Sequence, residues 1–107
     1  QNPSETVLNE FVIMAKKDKS PLVRLYLASA MQRLTVKQRV PVLKALLGHA
    51  EDADDQNLPL MYWYAVEAVV AADKVAAVQL LAACKIPKVR QFITRRMATG
   101  RDAGKKE

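Results

Sequence analysis

One short phrase occurs twice in this chain. Ser20-Pro21-Leu22-Val23-Arg24-Leu25-Tyr26 returns as Ile86-Pro87-Lys88-Val89-Arg90-Gln91-Phe92, so Pro-x-Val-Arg-x-aromatic opens two separate apolar patterns of helical length. A weaker version, Asn57-Leu58-Pro59-Leu60-Met61-Tyr62, stands between them. Proline suits the first position of a helix, where its missing N–H would have had no intrahelical partner, so the phrase reads as a helix start. A recurring helix start implies recurring helical hairpins, each hiding its apolar stripe against the next.

Six helices follow from the pattern. Ser4 is an N-cap for the first, with Leu8, Phe11, Val12 and Ala15 on one face and an end near Lys17. Ser20 caps the second, which runs to about Leu34. Thr35 starts the third, but Pro41 removes a backbone donor, so a short first turn and a main body from about Gln38 are expected. Pro59 opens a fourth helix through about Ala72 in which Glu67 is the sole charge, and so wide an apolar surface places it centrally. Asp73 caps the fifth, with Val75, Val78, Leu81 and Ala82 expected inward. Pro87 opens the sixth, expected to end near Ala98 with Val89, Phe92, Ile93 and Met97 inward. The expectation is therefore an all-α fold, an α-solenoid of about six helices in three antiparallel hairpins. Its repeat domain covers residues 1–98, in units of about 4–34, 36–72 and 74–98, and a flexible basic tail covers 99–107.

An apolar share of 50% with three Gly and five Pro in 107 residues favours one ordered domain. The net charge of +6 is uneven. Residues 1–84 hold nine Lys or Arg and nine Asp or Glu, and residues 85–107 hold eight against two. A basic end of this kind suits nucleic acid, anionic lipid or an acidic protein surface. No charged leader precedes an apolar run, and no apolar run is long enough for a membrane span, so neither a signal peptide nor a span is expected in this piece, which opens on Gln1 and reads as an excised or processed segment. A lone cysteine, Cys84, excludes an internal disulfide, and its apolar surroundings predict a buried thiol.

The phrase resembles the opening of the second helix in HEAT-like repeats, where a turn residue, Pro and then Val-Arg are typical. Pro21-x-Val23-Arg24 and Pro87-x-Val89-Arg90 match it, and the middle unit departs, with Met61 and Tyr62 in place of Val and Arg. More broadly, Ser20-Pro-Leu-Val-Arg-Leu-Tyr-Leu-Ala-Ser-Ala and His49-Ala-Glu-Asp-Ala-Asp-Asp-Gln-Asn-Leu-Pro-Leu-Met-Tyr-Trp-Tyr-Ala resemble the helical-repeat segment of large planctomycete and verrucomicrobial proteins. Those join a dehydrogenase-like β-propeller, HEAT-like repeats and a c-type haem domain. The resemblance implies an exported or periplasmic multidomain parent whose catalytic and haem-binding residues lie in other domains. The attachment motif Cys-x-x-Cys-His is absent from this chain.

Four sets of residues invite a chemical role. The acidic stretch from His49 to Asn57 offers Asp52, Asp54 and Asp55 as weak metal candidates. Asp52, Asp54 and Gln56 fill alternate positions of a calcium loop, but Asn57 stands where Gly is wanted and Trp63 where the bidentate Glu belongs, so the match fails. His49, near a helix end, is expected to meet terminal carbonyls. Glu67, amid apolar neighbours, is expected to be half-buried and to form a structural ion pair with Arg24 or Arg90. Tyr62, Trp63 and Tyr64 point about a hundred degrees apart and form no single stacking platform. Tyr62, which replaces the arginine of the flanking units, is expected to be the exposed one. Lys88, Arg90, Arg95 and Arg96, with Gln91 and Arg101 nearby, are candidates for a basic interaction surface, to which an exposed Tyr62 would add, and the other reading of the same cations is a solvated face.

The expected function is a non-catalytic scaffold or protein-interaction module without a cofactor of its own, its partners being other domains of the parent chain or another protein. A nucleic-acid-binding module using the basic last helix is the alternative. A metal-dependent enzyme stands a distant third.

Overall fold

The computed structural model describes residues 4–106, with side chains through residue 99, and is all-α there. Six helices are formed: α1 Glu5–Lys17, α2 Pro21–Ala30, α3 Val36–Leu47, α4 Leu58–Ala72, α5 Lys74–Ala83 and α6 Pro87–Lys106. A 3₁₀ turn, Met31–Arg33, prolongs α2, and a 3₁₀ segment, Ala50–Asp54, leads into α4. Among the described residues there is no strand.

The helix starts are written in side chains. The Ser4 hydroxyl accepts the Val7 N–H, the Ser20 hydroxyl that of Val23, and the Asp73 carboxylate that of Ala76. Thr35 and Gln38 form a reciprocal capping box at the start of α3. Each such cap is worth about 1 kcal/mol, because it satisfies a donor the helix cannot.

Packing sorts the helices into two layers. α1, α3 and α5 lie side by side, as do α2, α4 and α6, and each odd helix also touches the even helix that follows it. The shortest dimension, 19 Å, is that of two helix layers. Helix α4 touches α2, α3, α5 and α6, which places it at the centre, as its uniformly apolar sequence requires. Leu27, Met31, Leu46, Tyr62, Val66, Leu80 and Ile93 are among the fully buried residues that join the layers. Cys84 is buried, as its surroundings predicted, and burial pushes its thiol pKa up.

Three local expectations are corrected. Helix α3 is continuous from Val36 through Pro41. Pro41 and Lys37 are both exposed, so the carbonyl that loses its N–H partner stands beside water, and the capping box holds the turn before it. Helix α5 presents the other face to the core: Ala76, Ala77 and Leu80 are buried, whereas Val75 is 68% and Val78 54% exposed. Apolar residues surround nearly the whole of α5, so spacing could not select its inner face, and the small Ala76 and Ala77 side chains are what the core admits. Helix α6 continues to Lys106, past the expected end near Ala98. The Arg101 side chain lies outside the described residues.

Candidate functional site

The most polar region of the interior lies where the 3₁₀ segment Ala50–Asp54 enters between the first two hairpins. Arg24, one turn into α2, is 2% exposed. Its Nε donates to Asp52 Oδ2 at 2.7 Å and its Nη2 to Asp52 Oδ1 at 2.6 Å, a two-pronged pair. The remaining nitrogen, Nη1, donates to the carbonyl of Asp18, the C-cap of α1, at 2.9 Å. Tyr62, from the first turns of α4, donates its hydroxyl to Asp52 Oδ2 at 2.6 Å. Glu51 adds a looser approach to Arg24, at 3.8 Å. One carboxylate thus joins α2 to α4 through a segment that belongs to neither.

Electrostatics follow the geometry. The hydrogen bonds from Arg24 to Asp52 raise the guanidinium pKa, holding it charged. Burial, and then the adjacent Asp52 carboxylate, push the Tyr62 phenol up, so it stays a neutral donor. A second link lies alongside: His49 Nδ1 is 2.9 Å from Glu51 Oε2, and Nε2 hydrogen-bonds the carbonyl of Ala15 near the end of α1. The hydrogen bond from His49 lowers the Glu51 pKa. A cleft of about 520 Å³ opens beside this network, lined by charges of both signs that include Lys16, Lys19, Glu51 and Asp54.

The expected residues are rearranged accordingly. Glu67 is exposed, and the ion pair assigned to it is made by Asp52 instead. Five residues beyond Tyr62, Glu67 stands about 7.5 Å further along α4 than the residue that does reach this network. Tyr62 is buried rather than exposed, since its ring fills core while its hydroxyl meets Asp52. Tyr64 is the exposed aromatic, and Trp63 packs against Phe92 of α6 with ring centroids 5.4 Å apart. The three aspartates do not converge: Asp52 is held by Arg24, and Asp55 Oδ1 accepts the N–H groups of Asn57 and Leu58 at the start of α4. Those two bonds lower the Asp55 pKa. Asp54 faces solvent, and among the described residues no three His, Cys, Asp or Glu side chains gather as a metal site.

The basic surface of α6 is also divided. Lys88 and Arg95 are exposed and Arg96 is half-buried. Arg90 turns back, donating Nη1 to the carbonyls of Leu81 at 2.6 Å and Cys84 at 3.1 Å. Cys84 is the C-cap of α5, so Arg90 does for α5 what Arg24 does for α1.

Sequence reasoning missed one buried cation, Arg39. Its Nε donates to the Leu34 carbonyl and its Nη1 to that of Ala65 in α4, and burial lowers its pKa. The available signal was its place between Val36, Val40 and Leu43 on the inward side of α3.

No family model, curated protein or solved structure matches the chain. Among the described residues no helix is long and apolar enough to cross a membrane.

Proposed function

We propose that the chain is a HEAT-like helical-repeat segment acting as a non-catalytic scaffold, a ridged body that other domains or proteins pack against. The observation that carries this reading is the recurrence of one contact. Arg24 and Arg90 occupy the same place in the repeated phrase and bond the C-cap carbonyl of the preceding helix, Asp18 in one hairpin and Cys84 in another. A second recurrence supports it: each later hairpin sends a donor from its connection to the closing carbonyls of the previous odd helix. His49 bonds the Ala15 carbonyl, and the Lys85 N–H donates to that of Leu47 at 2.8 Å. Among the described residues no buried side-chain nitrogen or oxygen lacks a hydrogen-bond partner, and Arg24, Asp52 and Tyr62 direct theirs to such joints. By the resemblance, the parent is an exported bacterial protein, and any oxidoreductase chemistry belongs to its other domains.

A nucleic-acid-binding module is the alternative, favoured by the exposed Lys88 and Arg95 on α6. Fluorescence anisotropy with labelled duplex DNA, single-stranded DNA and RNA over a salt series separates the two. The scaffold reading expects no saturable binding near physiological salt. Saturable binding that weakens steeply with salt and disappears on replacing Lys88, Arg95 and Arg96 together installs the alternative.

A further inference from the structure

The third hairpin, α5–α6, carries an edge built like one that is already covered elsewhere in the molecule. When the repeated phrases are aligned, Arg24, Leu25, Ala28 and Ser29 of α2 match Arg90, Gln91, Thr94 and Arg95 of α6. On α2 these positions meet the next hairpin. Arg24 takes Asp52, and Leu25 and Ser29 line a crevice with Leu60 and Met61 of α4. On α6 the matching residues line an open hollow of about 660 Å³. Arg90 keeps its capping bonds through Nη1, yet among the described residues no carboxylate pairs with it.

The neighbouring helix repeats the comparison. Helix α3 packs against both α1 and α5, whereas among the described residues α5 has an odd-numbered neighbour, α3, on one side alone. On α5, Val75 is 68% and Val78 54% exposed. The edge therefore has the apolar and polar parts of a hairpin joint, with nothing described upon it.

Charge selects the occupant. Residues 4–34 hold five Lys or Arg and three Asp or Glu, residues 35–73 hold three against six, and residues 74–99 hold six and none. An acidic hairpin thus sits between two basic ones. A second copy would bring its basic first hairpin to this edge and be repelled. We propose that the α5–α6 edge docks an acidic helical hairpin of a partner, whose connecting turn places a carboxylate on Arg90 as Asp52 is placed on Arg24. This rests on the stacked-hairpin reading above and names the chemistry of its partner.

The probe is this chain's own acidic hairpin, α3–α4 with the segment that carries Asp52. The whole chain is extended, through a flexible Gly-Ser linker, by a second copy of residues 35–73, so that the local concentration is in the millimolar range. Hydrogen exchange of the α5 amides is compared with the unextended chain. The expected result is exchange slowed about tenfold, with the slowing lost in R90Q, in V78E, and when Asp52→Asn is placed in the appended copy alone. Unchanged α5 exchange in the extended chain, or slowing indifferent to these substitutions, overturns the proposal. So does concentration-dependent dimerisation of the unextended chain that V78E abolishes, because it assigns the edge to a second copy. D52N in the chain's own second hairpin reports the stacking itself. If that variant is destabilised while α5 stays unresponsive, the docking surface fails and the repeat reading stands.

Discussion

The carboxylate of Asp52 lies across the guanidinium of Arg24, 2.7 Å from Nε and 2.6 Å from Nη2, with both side chains at most 3% exposed. Removing one partner of such a pair strands a buried charge, which costs about 3–5 kcal/mol. D52N is expected to lose stability of that order in urea unfolding. Replacing both partners by apolar residues, as in R24M/D52L, is expected to lose clearly less than the two single losses combined. Additive losses would mean that the pair is not a coupled unit.

Tyr62 gives the network a response to alkali. Its phenol pKa is raised in the folded chain by burial and by Asp52. Between the ordinary tyrosine value, about 10, and the higher folded one, the unfolded chain releases a proton that the folded chain keeps. Stability is thus fully present below pH ~10 and falls as pH rises above it. The phenolate absorbance of Tyr62 is expected to appear only with unfolding, and Y62F to remove that part of the alkaline loss. A Tyr62 that ionises while circular dichroism stays native would contradict the buried hydrogen bond.

Much of this fold was legible because helix starts are local. Ser4, Ser20, Thr35 and Asp73 announce their helices by side-chain chemistry that involves only the next three residues. The inner face of α5 was not legible, because its apolar residues surround the helix and the choice among them is made by neighbours distant in sequence. The network failed for the same reason. Glu67 looked buried from its own helix, whereas the true partner of Arg24 came from Asp52, in a segment that reads as an ordinary acidic loop. Tyr62 looked like a lost arginine, but it reaches the same carboxylate from the other side.

The two arginines of the repeated phrase offer a matched comparison. Arg24 and Arg90 cap equivalent carbonyls, but only Arg24 also holds a buried carboxylate. R90M leaves carbonyls that water reaches, so it is expected to cost about 1 kcal/mol. R24M is expected to cost about 3–5 kcal/mol, since Asp52 is left buried and uncompensated. Equal losses in parallel urea titrations would count against the different settings described for the two residues.

Acid acts through the connection before α4. The Glu51 pKa is lowered by the hydrogen bond from His49, and the Asp55 pKa by the N–H groups of Asn57 and Leu58. Both groups contribute stability above the ordinary carboxylate values near 4, and the contribution is lost as pH falls through the lower folded values. E51Q is therefore expected to be slightly less stable than the native chain at pH 6 and indistinguishable from it at pH ~2. A difference that persists at the acid end would place the effect of Glu51 outside its charge.

Pro41 is the one residue of α3 that works against its helix. The helix continues through it, so the Lys37 carbonyl lacks the N–H that any other residue would supply, and both positions face solvent. P41A restores the donor and replaces the poorest helix former with the best. Two effects oppose the gain: the unfolded chain recovers the freedom that proline removed, about 0.4–1 kcal/mol, and water already meets part of the need of the carbonyl. A net stabilisation of about 1–2 kcal/mol is expected, since an interior proline costs about 3 kcal/mol against alanine. The gain should appear as a higher urea midpoint at unchanged slope, together with a protected new amide at position 41 and slower exchange of the amides beside it. A lower midpoint would mean that the turn from Val36 to Val40 depends on the proline ring for its geometry and not on the Thr35–Gln38 capping box alone.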